Sequence, residues 1–235
     1  MSGTCVYSAA LVLGIAATIL FLVVRVKKGG LPGVITKATA SVLFIATACA
    51  AIVMNLQEYA YGLLIVLGLV CGLLGDIWLD LKYAYPQDND PYLYAGFYSF
   101  FTGHLFFITA IFLSYKWTPW TMAISVIAAL IGAAGATLME KPMKLSYGKF
   151  RATCFIYGFI LMLTASSSVV AAFATGETAW IVMSAGGVLF LLSDLVLSGT
   201  YFGEGKNTPA YVVANHVLYY AAQFVIASSI LFVGN

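Results

Sequence analysis

Residues 60–80 read AYGLLIVLGLVCGLLGDIWLD. The stretch matches the roughly 20 apolar residues that a helix needs to cross the hydrocarbon core of a bilayer. It contains two acids, Asp76 near its end and Asp80 at its last position. A charged side chain in a spanning helix costs about 2.5–3.5 kcal/mol on insertion scales, so such a residue usually has a functional reason. The stretch therefore predicts a membrane-spanning helix and a functional position at Asp76.

The composition of the whole chain agrees with a membrane protein. Of its 235 residues, 62% are apolar and only 9% are charged, whereas soluble domains have about 45–50% apolar and about 25% charged residues. Lipid must therefore solvate much of the surface. The formal net charge of +2 is too small to indicate a nucleic-acid partner.

Eight apolar stretches are long enough to span a bilayer, and short connections join them into a single polytopic transmembrane domain, 1–235. All six prolines fall in connections or at helix starts, where proline is tolerated. The first stretch lacks a basic region before it and a cleavage site after it, so we expect a retained helix. The predicted spans are 6–26, 34–54, 60–80, 93–114, 118–138, 151–174, 179–199 and 210–233.

The distribution of lysine and arginine predicts the orientation. Ten of the eleven basic residues follow spans 1, 3, 5 and 7 or flank those connections, and only Lys116 lies on the other side. By the positive-inside rule, the ten-residue side is cytoplasmic and both termini are non-cytoplasmic.

Ionisable residues inside the spans are few. They are Asp76 in span 3, His104 in span 4, Asp194 in span 7 and His216 in span 8, with Asp80 at the border of span 3. Spans 3 and 7 run in the same direction, which places Asp76 and Asp194 at similar depth in the cytoplasmic half. We expect a polar cavity that opens to the cytoplasm.

Helical spacing groups more polar residues at this depth. One face of span 8 carries His216, Tyr220 and Gln223, and Tyr219 lies beside it. Near the end of span 3, Tyr83 lies on the same helical face as Asp76 and Asp80. Structural alternatives are open for several of them. Asp80 could lie at a solvated helix end, and His216 could make a structural hydrogen bond. Gln223 could hold two helices together. Each buried aspartate could form a structural pair with a Tyr or Asn side chain.

A short internal match suggests a 4+4 parallel repeat. Residues 73–76 (LLGD) match residues 191–194 (LLSD), and a histidine follows each acid in the next span. Spans 1–4 and 5–8 would then be related by an axis along the membrane normal.

The stretches around these acids resemble the YhhN-like membrane proteins, a family that includes the lysoplasmalogenases. The resemblance implies hydrolysis of the vinyl-ether bond of lysoplasmalogens to a fatty aldehyde and glycerophosphocholine or glycerophosphoethanolamine. The matching stretches are 67–81 (LGLVCGLLGDIWLDL), 95–107 (AGFYSFFTGHLFF), 157–163 (YGFILML), 187–197 (GVLFLLSDLVL) and 219–226 (YYAAQFVI).

Two carboxyl groups suit this reaction. Vinyl-ether hydrolysis needs a neutral acid, a nearby negative charge and a base for water, and two carboxyls that share a site cannot easily both ionise. We expect Asp76 and Asp194 to form the pair, with either one as donor, and His104 to orient an acid or a water. Tyr219, Tyr220 and Gln223 would position the ether oxygen or water, and His216 and Asp80 would line the cavity. The headgroup phosphate would meet one of four basic residues, Lys82, Lys144, Lys149 or Arg151. Its amine would meet one of four aromatic residues, Trp78, Tyr83, Tyr85 or Tyr92.

The same residues also suggest other functions. Two histidines and two acids could bind zinc, but HExxH is absent and the histidines are far apart, so we expect neither metal nor cofactor. The main alternative is a proton-coupled small-molecule or lipid transporter; an intramembrane aspartyl protease lacks its Gly-x-Gly-Asp form. The expected partners are a lysophospholipid and membrane lipids, with a homodimer left open. Both the endoplasmic reticulum and the bacterial inner membrane fit as locations.

Overall fold

The computed structural model describes residues 2–234. Within them lie eight helices that are long and apolar enough to cross a membrane, which confirms the predicted class and number. They are α1 (Ser2–Lys27), α2 (Gly30–Met54), α3 (Tyr59–Ala84), α4 (Asn89–Ser114), α5 (Pro119–Leu138), α6 (Arg151–Thr175), α7 (Thr178–Phe202) and α8 (Pro209–Ser229).

Local sequence explains where several helices begin and end. Pro119 starts α5, and Thr118 and Thr121 form a reciprocal capping box there, which supplies partners to first-turn N–H groups. Gly176 ends α6 with a φ of 71°, a left-handed conformation that glycine adopts without strain. The short α5–α6 and α7–α8 connections are tied by the bond from Ser146 N to the carbonyl of Phe202, 2.8 Å.

The end of α8 is the clearest boundary error of the sequence prediction. Span 8 was expected to reach residue 233, but α8 ends at Ser229 and a turn follows. The amide of Asn55 donates to the carbonyl oxygens of Ile230 (2.9 Å) and Val233 (2.8 Å). Hydropathy alone could not predict this, because the turn is as apolar as the helix and its carbonyls are satisfied by a side chain distant in sequence.

The chain divides into two compact units. The first contains α1 to α3, α4 as far as Ala110, and the chain from Ile226 onward; the second contains residues 111–225. In the first unit α1 packs on α2 and α2 on α3, and in the second α5 packs on α6 and α6 on α7. The order of neighbours is the same in both units, as a repeat would require, while the repeat itself stays a prediction.

Glycines bring α3 and α4 close together in the first unit. A Cβ on Gly103 would lie 2.9 Å from the carbonyl oxygen of Gly68, and one on Gly75 would lie 2.6 Å from the ring of Phe100. Small residues at such crossings let two backbones approach in a bilayer. The contact fixes the depth of α3, which carries Asp76.

Helices α1 and α5 carry many of the exposed apolar side chains. Leu13 and Ile19 of α1 are 59% and 58% exposed, and Trp120 and Ile131 of α5 are 80% and 67% exposed. Exposure of this kind is unfavourable in water and favourable in lipid.

We expect Asn55→Ala to destabilise the protein, since two carbonyl groups lose their donor. The loss of a buried hydrogen-bond partner costs about 1–3 kcal/mol, which thermal unfolding in detergent would detect as a lower Tm. Asn207→Ala, at an exposed position, is the control. Equal melting of the two variants would contradict the capping role of Asn55.

An even number of spans places both termini on one side, and the basic residues predict that this side is non-cytoplasmic. Alkaline phosphatase fused to the C-terminus should be active, and the same enzyme inserted between α7 and α8 should be inactive, because it folds only outside the cytoplasm. The reverse pattern of activity would show that the orientation is wrong.

Candidate functional site

Four charged side chains meet at the end of the first unit where α1 ends and α2 begins. Lys37 of α2 lies between the two acids of α3, with its Nζ 3.2 Å from Asp76 Oδ1 and 3.2 Å from Asp80 Oδ1. Arg25 of α1 approaches Asp80 Oδ2 at 3.8 Å. We call Arg25, Lys37, Asp76 and Asp80 the charge cluster.

Ser41 is a second partner of Asp76. It lies one turn beyond Lys37 on α2, and its hydroxyl oxygen lies 2.6 Å from Asp76 Oδ2 and 3.0 Å from the carbonyl oxygen of Lys37. Asp76 therefore accepts an ammonium hydrogen on Oδ1 and has a hydroxyl group within hydrogen-bond distance of Oδ2. Spacing of i and i+4 places Lys37 and Ser41 on one face of α2, and this face meets α3.

Because the charge cluster is buried, each of its charges depends on its partners. Lys37 is 3% exposed, and Asp76 and Asp80 are each 1% exposed. A buried ion pair that loses one partner is strongly destabilised, because the remaining charge has no compensation. Asp80 is therefore a buried member of the cluster, and its interpretation as a solvated helix end is wrong.

Lys82 and Tyr83 extend the cluster toward the end of α3. The guanidinium carbon of Arg25 lies 3.8 Å from the centre of the Tyr83 ring, and Lys82 Nζ lies 4.9 Å from it. These are cation–π distances. One protein cation already occupies the ring face of Tyr83, and Lys82 is only 8% exposed.

Asp194 lies in the second unit and contacts hydroxyl groups. The phenol of Tyr157 on α6 donates a short hydrogen bond to Asp194 Oδ2. Ser193 Oγ lies 3.3 Å from Asp194 Oδ1 and 2.9 Å from the carbonyl oxygen of Phe190. The amide of Asn215 on α8 donates to the carbonyl of Ser193 at 2.8 Å and so joins α8 to this part of α7. Asp194 is partly exposed, in contrast to Asp76.

Helix α8 presents its polar side chains inward. Tyr219, Tyr220 and Gln223 are 5%, 2% and 1% exposed. Gln223 Nε2 donates to the hydroxyl of Tyr219 at 2.8 Å, a contact within α8. Among residues 2–234, no hydrogen-bond donor reaches Gln223 Oε1. A buried acceptor without a donor is costly, and this oxygen is suited to bind a water or a ligand.

The two histidines lie in different surroundings. His216 bonds through Nδ1 to the carbonyl oxygen of Val212, 2.7 Å away and one turn earlier, and its place in the site stays a prediction. His104 is 1% exposed and packs edge-on against Phe107. Gly103 meets α3 at Gly68 and Cys71, so His104 lies roughly 8–12 Å along the helix axis from Asp76. Its catalytic role stays a prediction.

The sequence missed four polar partners of the acids. Arg25 and Lys37 were interpreted only as basic flanks that orient the chain, and Ser41 and Tyr157 were given no role. A signal was present for Lys37, since it lies inside the predicted span 34–54 where a charge needs a partner. The pairing of Asp76 with Asp194 remains a prediction, because these residues belong to different units.

Among residues 2–234, no three His, Cys, Asp or Glu side chains lie close enough together to hold a metal ion. The acids of the charge cluster face Lys37 and Arg25.

The eight spans and the buried charges define a polytopic membrane protein with a polar site inside its helices. The chain belongs to the YhhN family, whose model matches residues 33–230. This is a membrane family that includes lysoplasmalogenases and is associated with hydrolase activity. The match begins in α2 and includes Lys37 and Ser41. Searches of curated proteins and of solved structures found no significant match.

We expect Lys37→Met to lower stability strongly, since it leaves two buried carboxyl groups without their shared ammonium. Breaking a buried pair costs about 3–5 kcal/mol, which thermal unfolding in detergent would report as a lower Tm. Lys37→Arg keeps the charge and should retain most of the stability.

Two further variants test whether the lost ion pairs cause the fall in stability. The exposed Lys28→Met should melt like the wild type, and Lys37→Met with Asp80→Asn should recover part of the loss, because the two sites are coupled. Unchanged melting of Lys37→Met would contradict the ion pairs.

Proposed function

We propose that this protein is a hydrolase of the lysoplasmalogenase type, which cleaves the vinyl-ether bond of lysoplasmalogens. The observation that carries the proposal is the buried carboxyl group of Asp76, held by Lys37 and Ser41 in a chain of the YhhN family. Such a costly arrangement inside a membrane helix is typical of a functional site.

The reaction fits the polar groups of the two units. Proton transfer to the outer vinyl carbon gives an oxocarbenium ion, water adds to it, and the hemiacetal collapses to an aldehyde and an alcohol. In the assignment that follows from the sequence, Asp76 and Asp194 serve as acid and base, as carboxyl pairs do in glycosidases, where the cation is similar. Gln223 Oε1, which no described donor reaches, is suited to hold the water, and Tyr219 and Tyr220 lie beside it on α8.

The headgroup would bind beside the charge cluster. Lys82 would supply positive charge for its phosphate. Because Arg25 already covers Tyr83, the quaternary amine would bind instead to the stacked rings of Trp78 and Tyr92, whose centres are 6.1 Å apart. Trp78 is 36% exposed, so a cation from outside can approach it.

The purified protein should release fatty aldehyde from lysoplasmalogen, and Asp76→Asn or Asp194→Asn should lower kcat by roughly 100-fold or more, as expected for the loss of a general acid or base. Mass spectrometry of aldehyde and glycerophospholipid measures both products. Asp88→Asn, at an exposed position, is the matched control and should keep full activity.

The substrate control is the corresponding alkyl-ether lysophospholipid, which has no double bond to protonate and should not be cleaved. Normal folding with near-complete activity in either aspartate variant would show that the acid–base assignment is wrong. Uptake of the lipid into proteoliposomes without hydrolysis would favour a transporter instead.

A further inference from the structure

We infer that the connection between α5 and α6 binds an anionic phospholipid of the surrounding membrane. Three lysines of this connection, Lys141, Lys144 and Lys149, bind the charged oxygens of the lipid headgroup. Apolar side chains at the adjoining helix ends contact its acyl chains. We call residues 139–150 the basic connection. Lipid binding here is independent of the hydrolase reaction proposed above.

The basic connection carries more positive charge than its own acid neutralises. Residues 139–151 contain three lysines and Arg151 but only one acid, Glu140. The carboxylate of Glu140 is already paired, since Arg151 Nε lies 3.3 Å from it and a backbone N–H donates to it at 2.8 Å. Lys141 and Lys144 are exposed and make no ion pair with an acid among residues 2–234. Their charge is therefore available to an anion from outside the protein.

Contacts with the end of α7 and the connection after it hold the basic connection in place. The N–H of Ser146 donates to the carbonyl of Phe202 at 2.8 Å, and Lys206 Nζ donates to the carbonyl of Met143 at 2.6 Å. A backbone that is ordered before binding presents its lysines without the entropy cost of ordering a flexible loop.

Lys144 has a left-handed backbone conformation, with a φ of 52°. It is the only residue other than glycine with a positive φ in the described part of the chain, 2–234. This conformation costs free energy for a residue with a Cβ but not for glycine. The side chain of Lys144 makes no hydrogen bond or ion pair within residues 2–234 that would offset the cost. Binding of an outside anion gives a lysine a role at this position.

Exposed apolar side chains lie next to the basic connection on both helices that it joins. Leu138 and Met139 are exposed at the end of α5, and Phe155 and Ile156 are exposed near the start of α6. A soluble phosphate would use the lysines only. A phospholipid uses both parts of the surface, because its acyl chains pack on the apolar side chains while its headgroup meets the cations.

The excess of positive charge selects an anionic lipid over a zwitterionic one. The amine of a zwitterionic headgroup would be repelled by the same lysines that attract its phosphate. The basic residues lie on the side predicted to be cytoplasmic, where anionic lipids give the membrane a negative surface potential. Each lysine near such a surface contributes roughly fivefold in affinity.

Native mass spectrometry of the purified protein tests the site with three probes: phosphatidylglycerol, phosphatidylcholine and soluble glycerol 3-phosphate. We expect phosphatidylglycerol to bind at least about tenfold more tightly than either of the others. Lys141→Gln combined with Lys144→Gln should weaken its binding by about 25-fold, at roughly fivefold for each lysine. The matched control is Lys27→Gln with Lys28→Gln, which removes two exposed lysines from the α1–α2 connection and should keep the wild-type affinity.

Lys144→Gly separates the charge from the fold. Glycine relieves the left-handed strain, so the Tm in lipid-free detergent should stay the same or rise, while the affinity for phosphatidylglycerol falls about fivefold. Phosphatidylglycerol should raise the Tm of the wild type more than that of the variant, because a ligand that binds the folded state stabilises it.

Equal binding of phosphatidylglycerol and phosphatidylcholine, or of phosphatidylglycerol and glycerol 3-phosphate, would overturn the assignment. An equal loss of affinity in the control with Lys27 and Lys28 replaced would do the same. A lower Tm of Lys144→Gly without lipid would show that this lysine has a structural role instead. These measurements follow binding alone, so their failure leaves the hydrolase proposal unaffected.

Discussion

The ammonium of Lys37, held between two carboxyl groups inside the helices, is the interaction on which the rest of this protein depends. Each charge alone would be expelled from an apolar interior, and each is kept there only by the others. The contact joins α2 to α3, and Arg25 joins α1 to the same acids. The charge cluster therefore fixes three helices of the first unit and at the same time sets the electrostatic state of Asp76.

The arrangement explains why so few charges suffice for a site. In water, an ion pair of this kind contributes little, since solvent screens it. Inside the protein the same pair is strong, and small changes of geometry matter more because the dielectric constant is low. The hydroxyl of Ser41, one turn from Lys37, lies 2.6 Å from the second oxygen of Asp76. The second unit uses hydroxyl and amide groups around Asp194 instead, so the two acids have different chemical surroundings.

The two units share a helix order but not the partners of their acids. In each unit the aspartate lies on the third helix and contacts side chains of the second helix. Asp76 contacts Lys37 and Ser41, and Asp194 contacts Tyr157. A duplicated scaffold would keep the packing and allow the contacts to diverge, because packing constrains backbone positions more than it constrains the identity of a polar partner.

The sequence by itself determined the fold class, the eight spans and the positions of the acids, since length, hydropathy and the cost of a charge in lipid are properties of residues one at a time or in one helix. The shared face of Asp76 and Asp80 also followed from helical spacing. Only the tertiary structure decided that Lys37 and Arg25 pair with the acids of α3 and that the guanidinium of Arg25 covers Tyr83. It also decided that α8 ends at Ser229 and that the amide of Asn55 donates to carbonyl groups of the turn that follows. These facts depend on which faces of separate helices meet, and the composition of each helix carries no information about its neighbour.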